Sequence, residues 1–373
     1  MIKKRKLLFF MAFIHFGLVK KSCLGIDIGS SIVKIVELSR AGERLRLEAY
    51  GGITAESVYE KPFRTLEKNT LLFQSMDIAK AIGGIIEEAK MFTRRAVFSI
   101  PDFSTFYTTF DLPAMSLPEL SQAVRFRVRQ QIPVPLNEVS LDWSVIEGEP
   151  SEKSNSTLKI LLVAVPNEVI NQYQEISRLA KLDLFALEAE VFGFLRGVNP
   201  DRNKVVVLVD IGAQSTTCTI VDKGVLKQSR SFEPANNEIT EVVSKGFQID
   251  FREAEKLKEK YGLLFMEEPR GKDVSEVISA IVDAIIMEVQ KTIQNFYITE
   301  TKSPNLVVIG GGMALMPGLK EYFAKRLEKQ VEITNPFFSS KIFCPPIMEK
   351  TLKILAPSYA IAVGTAMRGL EEK

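Results

Sequence analysis

Histidine is almost absent: the 373-residue chain has one, His15, and it lies in the N-terminal tail. That removes Ser-His-Asp and Cys-His nucleophile schemes and most histidine-built metal centres. Cysteine is scarce as well. Cys23, Cys218 and Cys344 stand far apart with no C-x-x-C spacing, which excludes a disulfide framework and a structural zinc site and points to a reducing compartment. Charge of one sign is lacking, since the formal net charge is only +2. The electrostatic footprint of a nucleic-acid binder is therefore missing, and no nucleic-acid partner is expected. A long hydrophobic run is missing too. The apolar stretch Leu7–Leu18 follows a basic start like a signal peptide, but it is far below the ~20 residues that span a bilayer. No small-x-small cleavage site follows it. Residues 1–21 are therefore expected to be a tail of a cytoplasmic protein. Either the gene start is overextended and Met11 initiates, or a basic-apolar segment touches the membrane surface.

What is present is an ordinary globular composition, 46% hydrophobic and 25% charged, in a chain long enough for two lobes. LGIDIGSSIVKIVEL, residues 24–38, sets β-branched runs on both sides of Asp27-Ile28-Gly29-Ser30-Ser31. This predicts strand–turn–strand, unlike P-loop and dinucleotide sites, where the strand runs directly into a helix. The signature returns half a chain later in VVVLVDIGAQSTTCTIVDKG, residues 205–224. One D-x-G says little, because an aspartate caps turns and a glycine allows positive φ. Two copies in matching strand contexts imply a duplicated unit.

Between the copies, 96–113 alternates like sheet, and 115–132 reads as a helix with Ser116 as cap and Pro118 in its first turn. Two strands follow, flanking the polar tip 149–156. After the second copy come two helices, with Gly262 as a C-cap, and a long amphipathic helix. The strand NLVVIGGG leads towards another helix, and a final apolar helix begins at Ser358.

Backbone N–H groups at Gly29–Ser31 and Gly212–Ser215 can form donor nests for a polyphosphate. Hydroxyls at Ser30, Ser31, Ser215, Thr216 and Thr217 add donors, and Lys34 adds positive charge. Asp27 and Asp210 are candidates to hold hydrated Mg²⁺. Glu255 and Lys258, at i and i+3, could grip ribose hydroxyls or form a surface ion pair worth ~0.3 kcal/mol. Gly310-Gly311-Gly312 suits either a flat base passing over the backbone or close strand–helix packing.

Both hairpins, AE-x-x-K and IGGG-x-A-x-x-PGL together resemble the actin, hexokinase and heat-shock-chaperone ATPase superfamily. Within it, residues 16–31, 110–143, 205–216 and 357–370 resemble the PilM family of type IV pilus assembly, related to FtsA. The resemblance covers nearly the whole chain from Phe16, and 111–143 is its most specific block. It implies an α/β actin-like ATPase fold: two lobes of duplicated βββαβα-type units flank a nucleotide cleft, with an inserted FtsA/PilM-type subdomain. The expected parts are 22–93, 184–204 and 345–373 for the first lobe, 94–183 for the insert, 205–235 and 302–344 for the second lobe, and 236–301 for its helical subdomain.

Carried over by residue, the resemblance implies ATP and Mg²⁺ as cofactors. Asp27, Gly29, Ser30, Ser31 and Lys34 form the first phosphate motif, and Asp210, Gly212, Ala213, Gln214, Ser215 and Thr216 the second. Glu255 and Lys258 face the ribose, Gly311, Gly312 and Met313 the adenosine, and Glu190 orients an attacking water. One departure stands out: where relatives carry Gly-Gly before N-x-I-T, this chain reads PANNEIT, 234–240. The implied partner is the cytoplasmic N-terminal peptide of a PilN-like inner-membrane protein, and through it the pilus alignment complex. Self-association and indirect membrane contact follow, with a place at the inner face of the cytoplasmic membrane.

Two rivals differ in what they require. An FtsA-like polymer subunit would carry a C-terminal amphipathic anchor, and here RGLEEK follows the last helix directly. A small-molecule kinase would need a buried aspartate near the γ-phosphate, and no strand of the insert offers an evident one.

Overall fold

The structure is a computed structural model, and it describes residues 21–58, 64–67, 70–132, 135–150, 157–339 and 341–371. The expectation for tail residues 1–20 lies outside these. So does most of the 149–156 tip.

β1 (Ser22–Ile28), β2 (Ile32–Ala41) and β3 (Arg44–Thr54) form an antiparallel meander. A short helix α1 (Ala55–Val58), the hairpin β4 (Arg64–Glu67) with β5 (Thr70–Phe73), and helix α2 (Ser75–Glu88) follow. β6 (Arg95–Ile100) then pairs parallel to β1. The insert comprises β7 (Phe106–Pro113), α3 (Leu117–Gln131), β8 (Val139–Glu147) and β9 (Thr157–Pro166). Helix α4 (Asn167–Leu179) and β10 (Asp183–Ala189) return the chain to the first sheet, beside β6.

α5 (Glu190–Val198) leads to the second copy, β11 (Val205–Ile211), β12 (Thr216–Asp222) and β13 (Val225–Phe232). Helices α6 (Asn236–Phe247), α7 (Phe251–Tyr261) and α8 (Pro269–Glu300) precede β14 (Leu306–Gly310), α9 (Leu319–Leu327) and β15 (Gln330–Ile333). β16 (Ile342–Phe343) crosses back to β3, and α10 (Glu349–Arg368) ends the fold. The sheets run β10-β6-β1-β2-β3-β16 and β13-β12-β11-β14-β15. β1–β2–β3 and β11–β12–β13 are the same meander twice.

The continuous apolar run of β11 has a reason, since both faces of that strand are covered. Val207, Val209 and Ile211 pack with Ile239 of α6 and Ile285 of α8. Val206 and Leu208 face Phe194 of α5 and Ala360 and Ile361 of α10. α2 lays Ile78, Ile82, Ile85 and Ile86 on the first sheet, and each fully buried isoleucine contributes about 1.5–3 kcal/mol. In α3, Leu120, Val124 and Val128 recur every fourth residue against Ile160 and Leu162, while Glu119 reaches back to the Ser116 N–H at 3.0 Å.

Three expectations shift. The alternating run 96–113 divides between two sheets: β6 is central in the large one, whereas β7 pairs with β9 in the three-stranded insert sheet. α4 buries Val169, Tyr173 and Ile176 in the first-lobe core rather than against the three-stranded insert sheet. The last helix starts at Glu349 rather than Ser358 and runs through Pro357.

Contacts hold the insert to the second lobe as well as the first. Leu226 of β13 is buried with Leu161, Ala189 and Val191. Lys227 pairs with Glu147, and Lys159 with Glu300 at 2.6 Å. Among the described residues no helix is long and apolar enough to cross a membrane.

Candidate functional site

The two hairpin tips close in the same way. The Gly29 N–H donates to Ile32 O at 2.9 Å, and the Gly212 N–H to Ser215 O at 3.0 Å. A Cβ would lie 2.8 Å from the first acceptor and 2.9 Å from the second, so neither position takes a side chain without displacing the turn. Tip carbonyls are tied back to helix N-termini. Ala55 N, opening α1, binds Ser31 O at 2.8 Å; Asn236 N and Asn237 N, opening α6, bind Gly212 O and Ala213 O at 3.1 and 2.9 Å. With carbonyls held behind, the donor edge left on each tip is the amides of Ser30 and Ser31, and of Ala213 and Gln214. The glycine amides themselves are spent on closing the turns.

Asp27 and Lys34 are opposite each other in the β1–β2 register and meet at 3.0 Å; Ser99 of β6 donates to the other Asp27 oxygen at 3.0 Å. Lys34 is thus a buried partner of Asp27 rather than a free cation in the gap. Each carboxylate oxygen keeps a second lone pair. Asp210 sits opposite Thr217 on one side and Gly310 on the other. Thr216 is buried and donates to Pro234 O at 2.6 Å. Gln214 Oε1 is buried without a hydrogen-bond partner, an acceptor for which a bound donor would compensate.

One turn of α10 joins the two sides. The Gly311 N–H donates to Pro357 O at 3.0 Å, and two residues on, the Tyr359 hydroxyl lies 2.6 Å from where a Gly52 Cβ would be. Asp27 is close enough to add to the burial that pushes the Tyr359 phenol up to about 12. Gly311, at φ +87°, leaves no room for a side chain, because a Cβ would lie 2.3 Å from Ile211 O. Gly312 is open, with nothing within 4 Å of a Cβ, whereas Met313 is buried in the second-lobe core. α5 crosses α10 on glycine: a Gly364 Cβ would fall 1.8 Å from Gly193 O.

Glu255 and Lys258 belong to a buried network. The Lys258 ammonium donates to Glu255 Oε2 at 2.6 Å, Asn236 Oδ1 at 2.7 Å and Thr240 Oγ1 at 2.9 Å. Burial pulls its pKa below the usual lysine value, and Glu255 opposes that. Arg252, at the start of α7, pairs with Glu56 of α1, joining the two lobes.

Glu190 opens α5 and is buried, accepting from the Asp102 N–H at 3.3 Å. Asp102 is the residue missed by reading the sequence. It is buried in the turn after β6, accepts from Tyr107 Oη at 2.6 Å and from the Val191 N–H at 3.1 Å, and feels Asp210. Burial first, and Glu190 second, hold its carboxyl well above the usual range. Its D-F-S-T context looks like a turn cap, so no local signal marked it. Among the described residues no group of three or more His, Cys, Asp or Glu could hold a metal ion.

The family model for type IV pilus assembly protein PilM matches residues 25–370. The chain belongs to the PilM family. That family is described as type IV pilus assembly protein PilM, and the chain has its actin-like fold. A solved PilM–PilN type IV pilus biogenesis complex is similar to this PilM-family chain over 94% of its length and 99% of the other, with TM-score 0.79 and 23% identity. EutJ from Carboxydothermus hydrogenoformans (TM-score 0.56, 15% identity, 94% and 90% covered) shares the fold. MreB 5 of Spiroplasma citri bound to AMPPNP does too (TM-score 0.54, 11% identity, 94% and 96% covered). These neighbours establish the actin-like fold. FtsA of Bacillus subtilis (strain 168) is 27% identical over 155 residues, 36% of this chain and 35% of that one. FtsA of Staphylococcus epidermidis (strain ATCC 12228) is 26% identical over 175 residues, 42% and 37%. The chain thus matches little more than a third of the length of these FtsA relatives.

Proposed function

We propose that this PilM-family protein binds Mg-ATP between its twin hairpins and, in that state, receives the cytoplasmic N-terminal peptide of a PilN-like inner-membrane protein. The observation that carries the reading is the matched pair of tips, each closed by a glycine amide and each with its carbonyls drawn back onto a helix. The MreB 5 relative, bound to AMPPNP, shares this fold, which supports a nucleotide in the corresponding gap.

In this reading the amides of Ser30, Ser31, Ala213 and Gln214 hold the phosphates, with hydroxyls of Ser30, Ser31 and Ser215 assisting. The nucleotide's own Mg²⁺ neutralises the polyphosphate, and Asp27 and Asp210 hold its waters. Lys34 and Ser99 orient Asp27. Glu190 and Gln214 position a water at that end, Gln214 through its unpartnered Oε1. Gly312 gives passage to the base; Gly311 shapes the backbone, and Met313 supports it from the core. Binding alone can bias the lobes towards closure, so turnover is not required.

The peptide site is placed beside the insert, whose contacts with both lobes would let closure alter it. The solved PilM–PilN complex supports a PilN-like partner. Through that partner the protein would attach to the pilus alignment complex at the inner face of the cytoplasmic membrane. The chain would then touch the membrane indirectly and could self-associate. The lobes in this scheme are those expected from sequence, with the insert taken as about 106–166, its three-stranded sheet and helix.

The test is Mg-ATP and labelled PilN N-terminal peptide titrated onto wild type and Asp210→Ala. Nucleotide affinity should fall at least tenfold in the variant, and Mg-ATP should tighten peptide binding only in wild type. Equal peptide affinity with and without Mg-ATP would overturn the coupling. Unchanged nucleotide affinity in Asp210→Ala would overturn the site.

A further inference from the structure

Lys258 carries three protons, and all three are used inside the protein, on Glu255, Asn236 and Thr240. Thr240 also donates to Glu255 Oε2, at 2.5 Å. An ammonium has no fourth donor. Lys258 is therefore not available to a sugar hydroxyl unless it gives up one of these bonds, and its side chain is only 4% exposed.

Asn236 changes the subsite. It stands where relatives of the resemblance carry the second glycine before N-x-I-T, and it reaches from the phosphate hairpin (its N–H on Gly212 O) to the Lys258 ammonium. Because an ammonium only donates, the amide oxygen must face Lys258 and the amide nitrogen must face away. Asn236 is half-buried, and its Nδ2 is neither bonded to another described residue nor among the buried atoms lacking a partner. Glu255 shows the same division: Oε2 takes the internal bonds, while its side chain stays about one-third exposed. Two groups that accept from the same ammonium thus present a free donor and a free acceptor beside the second phosphate hairpin.

We infer that Asn236 Nδ2 and Glu255 Oε1 read the ribose diol of the nucleotide, donor against acceptor, and that Lys258 is a positioning residue which fixes both. This rests on the Mg-ATP reading above. In this chain asparagine takes the place of a permissive glycine and supplies a contact that glycine cannot.

The experiment compares equilibrium binding of Mg-ATP and Mg-2′,3′-dideoxy-ATP to wild type, Asn236→Gly and Asn236→Asp, with thermal unfolding of the free proteins as a folding check. Wild type should prefer ATP by roughly 30-fold or more, since one lost hydrogen bond goes to a charged group. Asn236→Gly should cut that preference by about 3–10-fold without changing dideoxy-ATP affinity. Asn236→Asp keeps an oxygen for Lys258 but has no N–H, so it should lose a comparable share of the preference. If Lys258 itself read the ribose, Asn236→Gly would release a proton and the preference would hold or rise, which overturns the inference. Equal wild-type affinity for the two nucleotides overturns it as well, while leaving the ATP site standing. Failure of wild type to bind either one would instead overturn the Mg-ATP reading itself.

Discussion

Asp102→Asn gives a sharp test of the buried acid between the insert and α5. The asparagine retains the shape and an oxygen able to accept from Tyr107 and the Val191 N–H, but it never ionises. In the folded protein the Asp102 pKa is raised, by burial and then by Glu190, above its ordinary value of 3.8. Between that value and the raised one the unfolded chain has released its proton while the folded chain still holds it. Folding stability therefore falls as pH rises through this window, by ~1.4 kcal/mol per pH unit for a single proton, and the loss is constant above it. The variant does not suffer this loss. Its Tm relative to wild type should climb with pH by roughly 2–3 °C per unit across the window, taking ~1–2 °C per kcal/mol for a chain of this size. Differential scanning fluorimetry from pH 4.5 to 8 in constant ionic strength would measure it. A Tm difference that stays flat over that range, or that shrinks as pH rises, refutes the assignment of a raised pKa to Asp102.

Other perturbations have equally definite outcomes. Gly364→Ala drives a methyl into Gly193 O at the α5–α10 crossing and should cost about 3 kcal/mol, seen as a fall in Tm of several degrees. Leu226→Ala, in the small core joining insert to second lobe, should cost about 2–4 kcal/mol and expose the insert to limited proteolysis before the lobes are cut. Burial pushes the thiols of Cys23 and Cys218 up to about 12 and that of half-buried Cys344 to about 11. Iodoacetamide at pH 8 should therefore label the native protein slowly and mainly at Cys344, and all three once it is unfolded, as mass spectrometry would show.

Much of this molecule is legible in its sequence where the cause is local. Each hairpin tip depends on a glycine that tolerates the turn and on β-branched flanks, and all of these lie within about fifteen residues. The cap at Ser116 with Glu119, and the C-cap at Gly262, are likewise settled by neighbours. What the sequence hides depends on distant partners. Asp102 resembles any turn aspartate until Glu190 and Val191, in another segment, close over it. The donors of Lys258 look free until Asn236 and Thr240 of the preceding helix take them. Alternation over 96–113 shows strand but not which sheet receives it. Pro357 reads as a helix start, yet the helix continues on its N-terminal side because tertiary packing against the first-lobe core offsets the lost amide bond.

The shared turn of α10 has a mechanical corollary. Pro357 accepts from the glycine loop of one lobe while Tyr359 abuts β3 of the other, so this turn is where relative displacement of the halves is smallest. The Arg252–Glu56 pair, by contrast, bridges the lobes between exposed side chains on α7 and α1. Spin labels at residues 56 and 252 would therefore report a rotation of the halves that labels near Pro357 could hardly register.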